Sequence, residues 1–269
     1  MGKILSIEEK EKLFQRTLIV YLEGFRKESI EIKKTIERKF KTRVHSVCRK
    51  FLKRFFCNEK ICKNYSLIIS FGGDGTFLRT AHFVNKTPLL GINASNKKKE
   101  GFLTTTSRQK FSNDLKNEIF FEELQRIKII INGKEIPDKA INDVFIGHKK
   151  SYKSAKYELI LKEKGIREKH LSSGIIISTE IGTNAWYKSV GGVPQTNKDN
   201  LYYIVREPYR GRIYKSKHFK GNSREIRIKA LKNLILVVDS LSREYILKKN
   251  DTAVLRFDRN NIKRINFKR

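Results

Sequence analysis

The stretch Leu67-Ile-Ile-Ser-Phe-Gly-Gly-Asp-Gly-Thr76 runs an apolar, strand-like segment into a turn that sets an acid among three glycines. Gly72, Gly73 and Gly75 can adopt backbone angles closed to other residues and let the main chain approach a ligand. Between a buried strand and a helix N-terminus, their N–H groups would face an anion, which suits nucleotide phosphates. Asp74 does not belong to a pure phosphate cradle, because a carboxylate repels phosphate. Its presence suggests chemistry: holding a metal ion, or taking a proton from an attacking hydroxyl. A plain glycine turn capped by Asp74 and Thr76 is the ordinary alternative. Neither G-x-x-x-x-G-K-[ST] nor the protein-kinase loop set occurs in the chain.

Working outward, Phe77–Val84 reads as a helix and Pro88–Asn93 as another buried strand. Upstream, Thr17–Leu22 and Val44–Val47 are strand candidates. They flank a charged helix over Lys27–Phe40 that offers Ile30, Ile32, Ile36 and Phe40 for burial. This β-α-β alternation predicts a parallel sheet with ligands at the carboxyl ends of its strands. After about Thr104 the texture changes to short β-rich runs: Gln125–Ile131, Ala140–Gly147, Ser154–Lys162, Gly174–Thr179, Ile226–Ile228, Leu234–Asp239 and Ala253–Phe257. Asn132-Gly133 is a hairpin turn and Asn250-Asp251 another turn. The expected fold is α/β: a Rossmann-like parallel-sheet domain over residues 1–103, a β-rich, sandwich-like domain over 104–269, and an active cleft between them.

Lys and Arg number 59 against 28 Asp and Glu, a net charge of +31 over 269 residues, which favours anionic partners. The lysines are scattered among many Ile and Asn, so a compositional bias accounts for the charge equally well. No basic tail with interleaved aromatics marks a nucleic-acid binder. Cys48, Cys57 and Cys62 support neither a disulfide framework nor a zinc site and favour a reducing compartment. No apolar run approaches a membrane span, and Glu8, Glu9 and Glu11 do not fit a secretory signal, so an intracellular protein, cytoplasmic or organellar, is expected. Met1-Gly-Lys-Ile-Leu-Ser6 matches the minimal myristoylation pattern, which is short.

Four segments then belong together: Gly72–Thr76; Gly91-Ile-Asn93 with Gly101-Phe-Leu103; Ala140-Ile-Asn-Asp-Val144; and Ser173–Thr179 followed by Gly182-Thr-Asn-Ala-Trp186. In order and spacing they resemble the NAD kinase family, from about residue 65 onward. The resemblance is closest to the mitochondrial type, through the longer gap between Asn93 and Gly101, Asn142–Gly147, Ser172-Ser-Gly174, Ala185-Trp186 and Arg206-Glu-Pro208. Lipid kinases of the diacylglycerol and sphingosine type share a similar glycine-acid turn but lack the rest. A basic nucleic-acid-binding protein on the same fold is the other alternative.

The resemblance implies transfer of the γ-phosphoryl group of ATP, as its magnesium complex, to the 2′-hydroxyl of the adenosine ribose of NAD. Asp74 would be the base or would position that hydroxyl, and Asp74→Asn should abolish turnover but spare folding. Gly72, Gly73, Gly75, Thr76 and Asn93 belong to the nucleotide-binding set. Asn142 and Asp143 match a family Asn-Glu pair that holds ribose hydroxyls, although Asn-Asp is also common in strand-end turns. Ser178–Trp186, with Thr179, Gly182, Thr183, Asn184, Ala185 and Trp186, corresponds to the turn that receives the adenine and ribose side. It departs from the usual pattern at Glu180 and Asn184. Trp186 either stacks on the ligand or serves the core. Ser173 stands where many bacterial members carry Asp. Phe102 packs on the dinucleotide or in the core, and Arg79 meets a phosphate or solvent. The loop Asn96–Glu100 is a solvated charged loop or attracts ATP at the cleft mouth. Small-molecule nucleotides are the expected partners, with a homodimer or larger homo-oligomer implied.

Overall fold

A computed structural model of the chain describes residues 4–52, 64–95, 101–212, 214–241 and 243–268. Two compact units divide it: residues 1–124 with 260–269, and residues 125–259. The first unit begins with helix α1 (Ile7–Phe14), whose N-cap Ser6 and Glu9 form a reciprocal capping box. Strand β1 (Thr17–Tyr21), helix α2 (Arg26–Phe40), strands β2 (His45–Cys48) and β3 (Leu67–Gly72), helix α3 (Asp74–Ala81) and strand β4 (Leu89–Asn93) follow. Strand β5 (Thr106–Ser107), the single turn α4 (Phe111–Asp114) and strand β6 (Ile119–Leu124) complete its main run.

The neighbours β2-β1-β3-β4 are all parallel, as the alternating pattern predicts. Every residue of β3 is buried, which a strand covered on both faces requires. Helix α2 buries Ser29, Ile32, Ile36 and Phe40, and Phe40 stacks on Phe14 with ring centroids 4.3 Å apart. Ile30 was expected inside with them. It lies 40% exposed, because the 3.6-residue repeat that buries Ile32 and Ile36 turns it toward the flank.

The second unit holds two six-stranded antiparallel sheets. One has the order β11-β10-β15-β18-β7-β8: β7 (Ile127–Ile131), β8 (Lys134–Glu135), β10 (Ala155–Leu161), β11 (Ile166–Ser172), β15 (Glu225–Ala230) and β18 (Thr252–Phe257). The other has the order β14-β13-β12-β9-β16-β17: β9 (Asp143–Gly147), β12 (Gly174–Ser178), β13 (Leu201–Arg206), β14 (Lys220–Ser223), β16 (Leu234–Val238) and β17 (Glu244–Leu247). Alternate residues of both sheets share one core, including Tyr157, Leu159, Ile226 and Ile228 from the first and Val144, Ile146, Ile175 and Ile177 from the second. Asn132 and Gly133, with φ of 50° and 84°, make the expected two-residue hairpin turn, and Asn250 (φ 77°) marks the other expected turn.

The boundary expected after Leu103 falls instead after Leu124. The physical reason is strand β19 (Ile262–Phe267), which returns from the end of the chain to pair parallel with β4 and antiparallel with β6. Residues 104–124 are thereby tied to the parallel sheet. Among the described residues no helix is long and apolar enough to cross a membrane. Cys48 is a buried free thiol; Cys57, Cys62, the start of the myristoylation pattern and the loop Asn96–Glu100 lie outside the described residues.

Candidate functional site

In the first unit, β3 ends at Gly72 and α3 starts at Asp74, so the acid is the first residue of a helix. A carboxylate there is favoured by the helix dipole, and the first N–H groups of the helix have no partner within it. The three glycines act differently from the expectation. None of them has a left-handed backbone angle. Gly72 is required by close packing, since a Cβ there would stand 2.3 Å from Thr76 Oγ1. Gly73 and Gly75 have open space where a side chain would be, so the backbone is bare at both positions. Thr76 is buried, and Arg79 is exposed on α3.

The Asp74 carboxylate is already engaged. Its Oδ2 accepts the N–H of Phe102 at 2.8 Å, and its Oδ1 accepts those of Leu103 and Thr104 at 3.2 and 3.3 Å. This acid therefore also holds the 102–104 turn, a structural part beside the chemical one expected of it. Gly101 is held close beside it, its would-be Cβ 3.3 Å from Asp74 Oδ1. With one donor on Oδ2 among the described residues, that oxygen keeps an acceptor site. Phe102, 42% exposed, is not a core residue, and its carbonyl accepts a bond from Arg264, which also pairs with Glu122. Asn93, at the end of β4, accepts the N–H of Ser95 through Oδ1 at 2.9 Å. Asp74, the glycine turn, Asn93 and Phe102 thus share the carboxyl end of the parallel strands and the turn held to it.

In the second unit, Asn142 and Asp143 enter β9 through a clamp that sequence reading missed. The Asp239 carboxylate accepts the N–H groups of Ile141, Asn142 and Asp143 at 2.9, 2.8 and 3.1 Å. Asp239 is 5% exposed and holds a left-handed φ of 48°, which Asp tolerates better than most residues. Its own N–H donates to the Asp143 carbonyl at 2.9 Å. Asp143 is itself buried, and that burial, reinforced by the like charge of Asp239, pushes its carboxyl up to about 8. At neutral pH it is mostly a protonated acid, able to donate one hydrogen bond and accept others.

The Ser178–Trp186 turn closes on the same place. Thr179 donates its N–H to the Asn142 carbonyl and its hydroxyl to that of Ile141. Gly182 admits no side chain, since a Cβ would lie 1.8 Å from the Asn142 carbonyl oxygen. Thr183 is buried, its Oγ1 donating to the Glu180 carbonyl and accepting the Gln195 N–H, and the Asn184 amide donates to the Ile181 carbonyl. Ala185 and Trp186 are half-buried. The Trp186 ring lies 5.2 Å from that of Phe145, with the Arg206 guanidinium 5.3 Å over it. Ser173 does not join them. β9 and β12 pair with Ser178 opposite Asp143 and Gly174 opposite Gly147, so Ser173 sits at the far end. Five extended residues separate it from Ser178, about 17 Å. Among the described residues no group of three or more His, Cys, Asp or Glu is placed to hold a metal ion.

These two constellations can be set beside known proteins. Residues 5–120 match the family model described as the ATP-NAD kinase N-terminal domain. An NAD kinase of Picrophilus torridus is 30% identical over 206 residues, 73% of this chain and 72% of that protein. The chain belongs to the NAD kinase family. A probable NADH kinase of Oryza sativa subsp. japonica is 29% identical over 53% of this chain and 51% of its own, and an NAD kinase of Clostridium tetani is 32% identical over 50% of each. The chain thus spans about half the length of these two relatives. Among solved structures, an NAD kinase from Archaeoglobus fulgidus in complex with ATP superimposes with a TM-score of 0.72 at 21% identity, over 94% of this chain and 93% of the other. A yeast NADH kinase complexed with NADH gives 0.74 at 14% identity, over 94% and 84%. The NAD kinase fold, a parallel α/β unit followed by a β-rich one, is therefore that of this chain.

Proposed function

We propose that this protein is an ATP-dependent NAD kinase, transferring the γ-phosphoryl group of ATP, taken as its magnesium complex, to the 2′-hydroxyl of the adenosine ribose of NAD. The observation that carries the reading is Asp74. It is the first residue of a helix, beside two glycines with open space where a side chain would be, and among the described residues three N–H donors fix it while one Oδ2 acceptor site stays free. The bare backbone at Gly73 and Gly75 receives phosphate oxygens at the positive end of α3. The Asp74 carboxylate orients the ribose hydroxyl and takes its proton as the bond to phosphorus forms.

Asn142 and Asp143 hold the ribose diol in this reading. An amide and a neutral carboxyl together supply donors and acceptors, which a carboxylate alone does not. Shortening the family's Glu to Asp is offset in part by the rigid seat that Asp239 gives the backbone. Thr179, Gly182, Thr183, Asn184 and Ala185 shape the nucleoside pocket of the second unit, with Trp186 as its aromatic surface, and Phe102 offers an exposed ring beside Asp74 in the first. Ser173 stands at the opposite end of β12 from Ser178, apart from the group around Asn142 and Asp143. The finer assignment to the mitochondrial type is supported by Ser173 and by the packed pair Trp186 and Arg206. A homo-oligomer is in keeping with the edge strand β17, where Ile246 is 68% exposed, and an intracellular setting with the free thiol Cys48. Purified protein given ATP, magnesium and NAD should form NADP, read with an NADP-specific dehydrogenase. Phosphorylation of a lipid in micelles with no NADP would replace this reading.

A further inference from the structure

The first sheet of the second unit carries a pocket that the kinase reading does not use. Its volume is about 770 Å³, within the range of small-molecule sites. Lys156 and Glu158 of β10 and Arg167 and Lys169 of β11 form its floor; Lys249 and Leu231 close one side. These are the residues of the hairpin that alternate with the core-facing Tyr157 and Leu159, so they stand on the sheet's outer surface. The remaining wall is the segment Tyr214–Ser216.

That wall is built. Ser216 donates its hydroxyl to the Lys169 carbonyl at 2.7 Å, and the N–H groups of Lys217 and His218 both donate to Glu168 Oε2. His218 Nδ1 lies 2.7 Å from Glu168 Oε1. Lys156 places its ammonium 5.5 Å from the centre of the Tyr214 ring.

The charge balance decides what this pocket takes. Both of its acids are spent on the protein: Glu158 on Arg167 at 2.9 Å, and Glu168 on the His218 segment. Lys156, Lys169, Lys215 and Lys249 form no ion pair among the described residues, though all four line the same cavity. Several unpaired cations around one cavity attract an anion carrying several charges. A compositional excess of lysine would scatter such residues without gathering them around a strapped loop. A nucleic-acid track would need an open groove and a series of stacking rings. This cavity has a floor, two walls and one ring.

We propose that this pocket binds a short linear oligophosphate, free or carried by a nucleoside. The site lies wholly within the β-rich unit and does not depend on the kinase reading, because the difference in binding between wild type and the lysine variants isolates this pocket from any other nucleotide site. Calorimetry with inorganic tripolyphosphate and with ATP, at low and at physiological salt, tests it on the intact chain. Lys169→Gln, Lys215→Gln and Lys249→Gln combined should weaken tripolyphosphate binding roughly tenfold or more. NADP formation should be unchanged, and circular dichroism should show the fold retained. In Tyr214→Ala, a loss for ATP alone identifies the nucleotide as the ligand, and no loss for either identifies the inorganic chain. Equal tripolyphosphate affinity in wild type and triple variant would overturn the proposal. So would binding only of long single-stranded polynucleotides.

Discussion

Two aspartates, one in each unit, grip the backbone in the same way. Asp74 accepts the N–H groups of residues 102–104, and Asp239 those of residues 141–143. Three successive donors converging on one carboxylate make a rigid turn in both cases. What differs is exposure. Asp74 stands at a helix start beside bare glycines with Phe102 exposed next to it, whereas Asp239 is sealed in and faces another buried acid, Asp143. In the proposed reading the same clamp presents a reactive group in one unit and only a scaffold in the other.

The largest effect separates these roles. Asp74→Asn keeps the shape and can still accept N–H bonds on one oxygen, but loses the proton acceptor. NADP formation should fall about a thousandfold or more, while the melting temperature drops only a few degrees. A variant with near-normal turnover would make Asp74 a clamp like Asp239. Asp239→Ala should do the reverse. It strands three N–H donors in the interior and should cost about 2–4 kcal/mol of stability, read by urea titration. The Michaelis constant for NAD should rise through the loss of a fixed Asn142 and Asp143.

How these two acids appear in the sequence is instructive. Asp74 is conspicuous because its neighbours in the chain are its context: a largely apolar strand, three glycines and a helix. The core strands were legible for the same local reason, as in Ile127–Ile131 and Leu234–Val238. Asp239 follows an ordinary strand, and its partners lie 96 to 98 residues upstream. No local pattern announces a pairing at that range. β6 and β19 were missed likewise. Ile119-Phe-Phe-Glu-Glu-Leu124 and Ile262-Lys-Arg-Ile-Asn-Phe267 mix charges into their runs, and what makes them strands is each other. That long return moved the boundary between the units. The N–H donors of the Phe102 turn that Asp74 grips were equally hidden, since a loop N–H has no signature in a side-chain alphabet.

A smaller effect sharpens the comparison at the glycines, one packed tightly on the backbone that Asp239 clamps and one left open beside Asp74. Gly182→Ala drives a methyl into the Asn142 carbonyl and should cost about 2 kcal/mol and weaken NAD binding. Gly75→Ala meets open space, so stability should hold while the Michaelis constant for ATP rises. Equal loss of stability in the two variants would mean that the bare backbone at Gly75 is structural.

The smallest effect concerns the acid that Asp239 opposes. Burial first, and then the Asp239 charge, raises the Asp143 carboxyl from an ordinary value near 3.8 to about 8. Between those two values the folded protein holds a proton that the unfolded chain has released. Its contribution to stability is complete below about pH 4 and is lost as pH climbs through about 8. In the ligand-free protein, the melting temperature of wild type should fall against that of Asp143→Asn as pH rises from 5 to 8, and the gap should stop widening above that. Asp239→Asn removes only the second cause, so it should shift the end of the window downward without closing it. If the gap ignores pH, Asp143 is charged throughout, and its seat beside Asp239 must then be wetter than its burial indicates, closer in character to the exposed surroundings of Asp74.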